Sequence, residues 1–252
     1  MTAAELASPL DDKVLILPVS ATEQHGPHLP TGTDAFILEG ILRAAMKTGG
    51  PMRAIALPLQ PIGWSVEHGA LPGTLSIDAA MLTAGWVALG RWIQRAGARR
   101  LLIFNSHGGN ASPVATAAMQ LRAECGLFVA HAHWQALADA DGLAPAGAPV
   151  PDWHAGWIET SVMLQLRPDL VAMDRAAAGT WRHPPGLPPS GPASWAWMTG
   201  DLSANGVIGD PRLASAALGA RLIERAVQGL AALVEKIAAA PWPATSGGGG
   251  KR

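Results

Sequence analysis

The 252-residue sequence contains no tyrosine and a single cysteine, Cys125. The first absence removes a tyrosyl acid, base or nucleophile; the second removes an internal disulfide. Charge is scarce as well: 15% of residues are Asp, Glu, Lys or Arg, the formal net charge is −1, and no long run of one sign occurs. No nucleic-acid or anionic-lipid surface is therefore expected. The longest apolar runs, such as 14–17 and 101–104, fall far short of the roughly 18 residues a membrane span needs, so no membrane partner is expected either. The first residues lack the positive flank and apolar h-region of a secretory signal, and the expected compartment is the cytoplasm. Neither a Walker A pattern nor GxGxxG is present, and the loops around Ser65 and Ser106 fail GxSxG.

What is present is a large apolar fraction, 49% of residues, enough for one large domain spanning 1–246, with a Gly-rich tail at 247–252 expected to be disordered. The 29 glycines and 21 prolines point to long loops. Short β-branched and leucine-rich runs at 13–19, 54–59, 100–104 and 127–131 read as strands. Helical stretches at 34–47, 78–96 and 113–124 separate them, the third with Ser112 in the N-cap place and Pro113 at the first helical position. Such alternation implies βαβ units and a three-layer α/β/α fold around a mainly parallel sheet. Periodicity fails at 134–152 and 180–209. It returns in a last helix, expected to be capped by Asp210, started by Pro211 and striped by Leu218, Leu222, Val227, Leu230 and Val234.

Five of the eight histidines, His25, His28, His68, His107 and His154, sit in Gly- or Pro-rich loops beside a carboxylate or an amide. Taken singly, each is more often a hydrogen-bonded residue than a ligand; the clustering carries the signal. In an extended segment Glu23 and His25 point the same way, and Asp34 at the next helix start can bridge two cations beside them. Hard and borderline cations such as Zn²⁺ or Mn²⁺ accept this mixed oxygen and nitrogen set. His107 lies at the carboxyl end of a strand, where open α/β sheets bind ligands. Inside one helix His154 and Glu159 would lie roughly 140° apart, so both face one site only if His154 sits in the preceding loop.

The segments EQHGPHLPTGTD (23–34), EHGALPGTLSI (67–77), NSHGGN (105–110), HAGWIETS (154–161) and GVIGDP (206–211) resemble the creatininase (creatinine amidohydrolase) family in order and spacing, over roughly residues 13–238. The resemblance implies a three-layer α/β fold, two divalent ions, Zn or Mn with Fe as a further candidate, and hydrolysis of a carbon–nitrogen amide bond, often in a homohexamer. It implies Glu23, His25, Asp34 and His107 as metal ligands, Asp34 bridging, and His154 as the proton-transfer residue. One position departs: creatininases carry a glutamate ligand where this chain has Gly109. In relatives with the HGGN form the glutamate matching Glu159 completes the second metal's shell, so creatinine itself is a doubtful substrate.

The expected reaction is attack by a metal-bridging hydroxide on a small cyclic or linear amide. Two further readings remain open: a peptidase of the mycofactocin-maturation type or a formamide deformylase within the same family, and a non-catalytic metal-containing binding protein. Six of the ten tryptophans, Trp134, Trp153, Trp157, Trp181, Trp195 and Trp197, fall in the loop-rich third. As a group they suggest an aromatic-walled pocket, with His68, Trp153 and Trp157 on the substrate side.

Overall fold

The computed structural model describes residues 10–47, 53–69, 71–149 and 151–241; the tail at 247–252 and both ends of the expected domain lie outside the described residues. Strands β1 (Val14–Val19), β2 (Ala54–Ala56), β3 (Arg100–Asn105) and β4 (Phe128–His133) pair in parallel in the order β2-β1-β3-β4. Helices α1 (Thr33–Lys47), α2 (Ala79–Arg95), α3 (Ala111–Cys125), α4 (Trp134–Ala138), α5 (Trp157–Leu166), α6 (Thr199–Leu202) and α7 (Ala216–Ala239) follow in chain order.

Side-chain alternation divides each strand between two cores. Val14 and Ile16 of β1 join Leu102 and Phe104 of β3 on one face, while Leu15, Leu17, Leu101 and Ile103 occupy the other. Helices α1, α5 and α7 cover the first face and α2 and α3 the second. The result is the three-layer α/β/α architecture, and double coverage explains why β1 is an uninterrupted apolar run. After β1 the chain steps outward to β2; from β3 it steps the opposite way to β4. Loops therefore open between the carboxyl ends of β1 and β3, the switch point at which such sheets bind ligands.

Element ends differ from expectation where side chains find other partners. Helix α3 starts at Ala111, ahead of Pro113, with Asn110 in the N-cap place and making no cap bond. The Asn110 amide is occupied instead: it donates to the Ser20 carbonyl and Asn105 Oδ1 and accepts from the Trp64 N–H, tying three loops together. Asp210 and Pro211 open only a 3₁₀ turn, Pro211–Leu213; Ser215 caps α7 by accepting from Leu218 N–H at 3.2 Å. Two short helices, α4 and α6, form within stretches read as loop, α4 capped by His133 Nδ1 accepting from Gln135 N–H. Among the described residues no helix is long and apolar enough to cross a membrane.

Candidate metal centre

Glu23 and His25 lie in the loop after β1, Asp34 in the first turn of α1, and His107 just past β3. His68 ends the 3₁₀ turn Val66–His68, and Glu159 sits in the first turn of α5. His154 lies ahead of α5, in an extended stretch paired with Ile208 through Ile208 N–H donating to the His154 carbonyl at 2.8 Å. The GVIGDP segment thus acts as a backbone brace for His154. Ala155, buried and at φ +53, then turns the chain so that its N–H donates to Glu159 Oε2 at 2.7 Å. A left-handed alanine costs about 1–2 kcal/mol. That turn lets His154 and Glu159 face one volume, which a continuous helix would forbid.

All seven side chains are buried. Asp34 directs one oxygen to each side: Oδ1 lies 3.6 Å from His25 Nε2 and Oδ2 lies 3.6 Å from His107 Nδ1. Glu23 Oε2 lies 3.1 Å from His107 Nδ1, and Glu159 Oε2 lies 3.7 Å from His25 Nε2. Three groups place their ligand atoms within 4.8 Å of one another: Glu23 with Asp34 and His107, His25 with His154 and Glu159, and Glu23 with His68 and His154. Glu23 Oε2, His25 Nε2 and Asp34 Oδ2 are buried without a hydrogen-bond partner. Orphaned buried acceptors are costly, and a cation is the partner this donor set fits.

The outer contacts support that fit. His107 Nε2 donates to the Trp64 carbonyl at 2.9 Å, aiming Nδ1 inward, and His25 Nδ1 donates to the Glu23 carbonyl at 3.1 Å, aiming Nε2 inward. Such bonds fix the ring and the working nitrogen of a ligating histidine. Without a cation, protons hold the positive charge. Burial opposes the charge on His107, yet the Glu23, Asp34 and Glu67 carboxylates push its pKa up to about 10. Burial likewise opposes charge on His25, where Asp34, Glu159 and Glu23 prevail and raise it to about 9. Burial lifts Glu159 to about 8 and raises Asp34. On Glu23 burial acts upward, but the charges of His107, His68 and His154 hold it well below the usual range. Burial, with His25 and His68 alongside, holds His154 well below 6.5 and therefore neutral.

The structure brings together Glu23, His25, Asp34, His107, His154, Glu159 and His68. Trp153 is part-exposed beside His154, with Trp181 edge-on at 5.3 Å and Trp197 stacked at 6.4 Å. Trp157, expected on the substrate side, is 2% exposed and belongs to the core cluster that includes residues of α1 and α7. Trp134 is likewise fully buried. Sequence reading missed four neighbours. Glu67 lies 3.6 Å from His107 Nε2, Asp152 caps α5 through Trp157 and Ile158 N–H, and Gln24 and Thr199 contact the site histidines. Gln24 and Glu67 each adjoin a residue already singled out, which was the available signal; Thr199 had none.

Fold and site together define a three-layer α/β protein whose buried carboxylate–imidazole centre suits divalent cations. Residues 1–234 match the family model described as Creatininase: Creatinine amidohydrolase. A mycofactocin precursor peptide peptidase of Mycolicibacterium smegmatis is 34% identical over 226 residues, covering 88% of this chain and 85% of the relative. A creatinine amidohydrolase of Pseudomonas putida is 31% identical over 243 residues, covering 87% and 88%. Among solved structures, a Zn–Zn type creatininase mutant superposes at TM-score 0.81 with 26% identity, covering 94% of this chain and 96% of that one. A creatininase with Mn superposes at 0.77, also at 26% identity and with the same coverage. The chain belongs to the creatininase family of amidohydrolases.

Proposed function

We propose that this chain hydrolyses the carbon–nitrogen bond of a small cyclic or linear amide with two divalent ions, Zn and/or Mn, or Fe, bound at the buried centre. The observation that carries this reading is the convergence of Glu23, Asp34, His107, His25 and Glu159 with orphaned inward acceptors. Glu23, His107 and Asp34 would hold one cation, and His25, Glu159 and the second oxygen of Asp34 the other. When bound, the pair supplies Lewis-acid polarisation of the carbonyl and a lowered pKa for the attacking water.

His154 carries the proton. Its Nε2 donates to the Gln24 carbonyl at 2.7 Å, which leaves the Nδ1 lone pair directed toward the site, 3.6 Å from Glu23 Oε1. A neutral imidazole there accepts the proton of the attacking water and returns it to the departing nitrogen. Trp153, with Trp181 and Trp197, offers an aromatic wall on the substrate side. His68 directs its Nε2 to the same volume, 3.4 Å from Glu23 Oε1. Elemental analysis together with a panel of creatinine, lactams, formamides and short peptides tests the reading: bound metal with turnover of one class supports it, and metal-free active protein overturns it. Ligand binding should also perturb tryptophan fluorescence.

A second reading, a peptidase, is favoured by the 34% identity to the mycofactocin precursor peptide peptidase and by the exposure of Trp153 and Trp181, 36% and 37%, on which a peptide could lie. The peptide arm of the panel separates the two. Exposed Met81, Leu89 and Trp92 on α2 and Met119 on α3 support a homo-oligomer, a hexamer by family resemblance, measurable by sedimentation.

A further inference from the structure

The Gln24 side chain touches both His68 and His154 from behind. It is 6% exposed, and its orientation is fixed: Oε1 accepts from Gly26 N–H at 2.9 Å, so Nε2 is the nitrogen that donates to the Gly206 carbonyl at 3.1 Å. Gly206, at φ +78, leaves room for it, since a β-carbon there would strike the amide. One amide hydrogen remains, with His68 Nδ1 at 2.9 Å and His154 Nε2 at 3.1 Å as the nearest atoms. His154 Nε2 cannot receive it. The Gln24 main-chain carbonyl, 2.7 Å away, only accepts, so that nitrogen already carries a hydrogen. The amide hydrogen therefore goes to His68 Nδ1; the Thr199 hydroxyl lies 2.8 Å from the same nitrogen.

An Nδ1 that accepts leaves the hydrogen of a neutral imidazole on Nε2. His68 Nε2 points into the site, 3.4 Å from Glu23 Oε1, the same oxygen that lies 3.6 Å from His154 Nδ1. The two rings are tilted by 31° to one another, centroids 4.3 Å apart. We infer that Gln24 is a positioning residue that sets two site histidines to opposite tasks: its main chain turns the His154 lone pair inward as proton acceptor, and its side chain turns the His68 N–H inward as a hydrogen-bond donor to the substrate carbonyl oxygen as it becomes negative. This rests on the amidohydrolase reading for the donor's use, while the tautomers themselves rest on geometry alone.

The two contacts are separable, because a substitution at position 24 changes the side chain and keeps the carbonyl. In ¹⁵N-histidine-labelled, zinc-loaded protein, His68 and His154 should both show a protonated Nε2 and an unprotonated Nδ1. Gln24→Glu, which presents an acceptor to His68 Nδ1, should move the His68 hydrogen to Nδ1 and leave the His154 signals in place. With zinc content unchanged, kcat should fall roughly 100-fold, the scale of losing one oxyanion donor, with KM altered far less, and His68→Phe should reproduce that loss. Gln24→Met serves as the check on folding, since it removes the donor without adding charge and should loosen His68 alone. An unchanged His68 spectrum in Gln24→Glu, or equal displacement of both histidines in both variants, overturns the assignment. Should the spectra behave as stated while wild type and variants alike turn over no amide, the hydrolase reading fails and the tautomer assignment stands.

Discussion

Gly109 shows how little room surrounds a ligand candidate. A β-carbon at that position would collide with His107 Nε2, the Trp64 carbonyl and Glu67 Oε1, the groups that orient the His107 ring from behind. Gly109→Ala should therefore displace His107 and lower bound metal, read by elemental analysis against wild type; a variant that keeps its metal would show that the ring tolerates the shift. His154 is a different case, because geometry places it within ligand range of two groups as well as in position to move a proton. His154→Ala is expected to retain its metal and lose about 10²- to 10⁴-fold in turnover. Loss of metal instead would make it a ligand. Asp34→Ala, removing the carboxylate that faces both His25 and His107, should release metal, and undiminished content would end the bridging role. Each of these residue types was legible in the sequence; the opposed duties of His68 and His154 were not, since a tautomer depends on partners 44 and 130 residues away from the position that sets it.

At the scale of elements, the site depends on where α5 begins. Asp152 accepts from Trp157 N–H at 2.8 Å and Ile158 N–H at 3.2 Å, which fixes the start of the helix that carries Glu159. Asp152→Ala should cost about 1–2 kcal/mol of stability, measurable by denaturant unfolding. Helix α5 is held in turn by α7, which approaches so closely that a β-carbon at Gly219 would meet the Ser161 carbonyl. Gly219→Ala should cost about 1–3 kcal/mol and lower metal affinity by shifting Glu159; full stability in that variant would mean the two helices part without penalty. Strands and long helices were readable because their apolar periods are strong. The start of α3 was not, because Asn110 spends its amide on Ser20, Asn105 and Trp64, and no local pattern reveals those partners.

For the whole molecule, the buried centre couples folding, protons and metal. His25 at about 9 and His107 at about 10 lie above the unfolded value near 6.5, so their contribution is fully present below about pH 6.5 and is lost as pH rises through about 9 and 10. Glu159, raised to about 8, holds a proton that the unfolded chain releases near 4.5, and acts in the same direction. The metal-free protein should therefore lose thermal stability between about pH 6.5 and 9, while cations that displace these protons should raise Tm by a margin that widens with pH. Melting curves with and without chelator across that range test this, and a margin independent of pH would sink it. By itself the sequence determined the layered fold and most of the centre's membership, because periodicity and side-chain chemistry are local properties that survive in one dimension. Only the tertiary structure decided that Trp157 belongs to the core, that Ala155 bends His154 and Glu159 onto one volume, and which nitrogen of each histidine faces inward. Those outcomes depend on packing and hydrogen-bond partners brought together from distant parts of the chain.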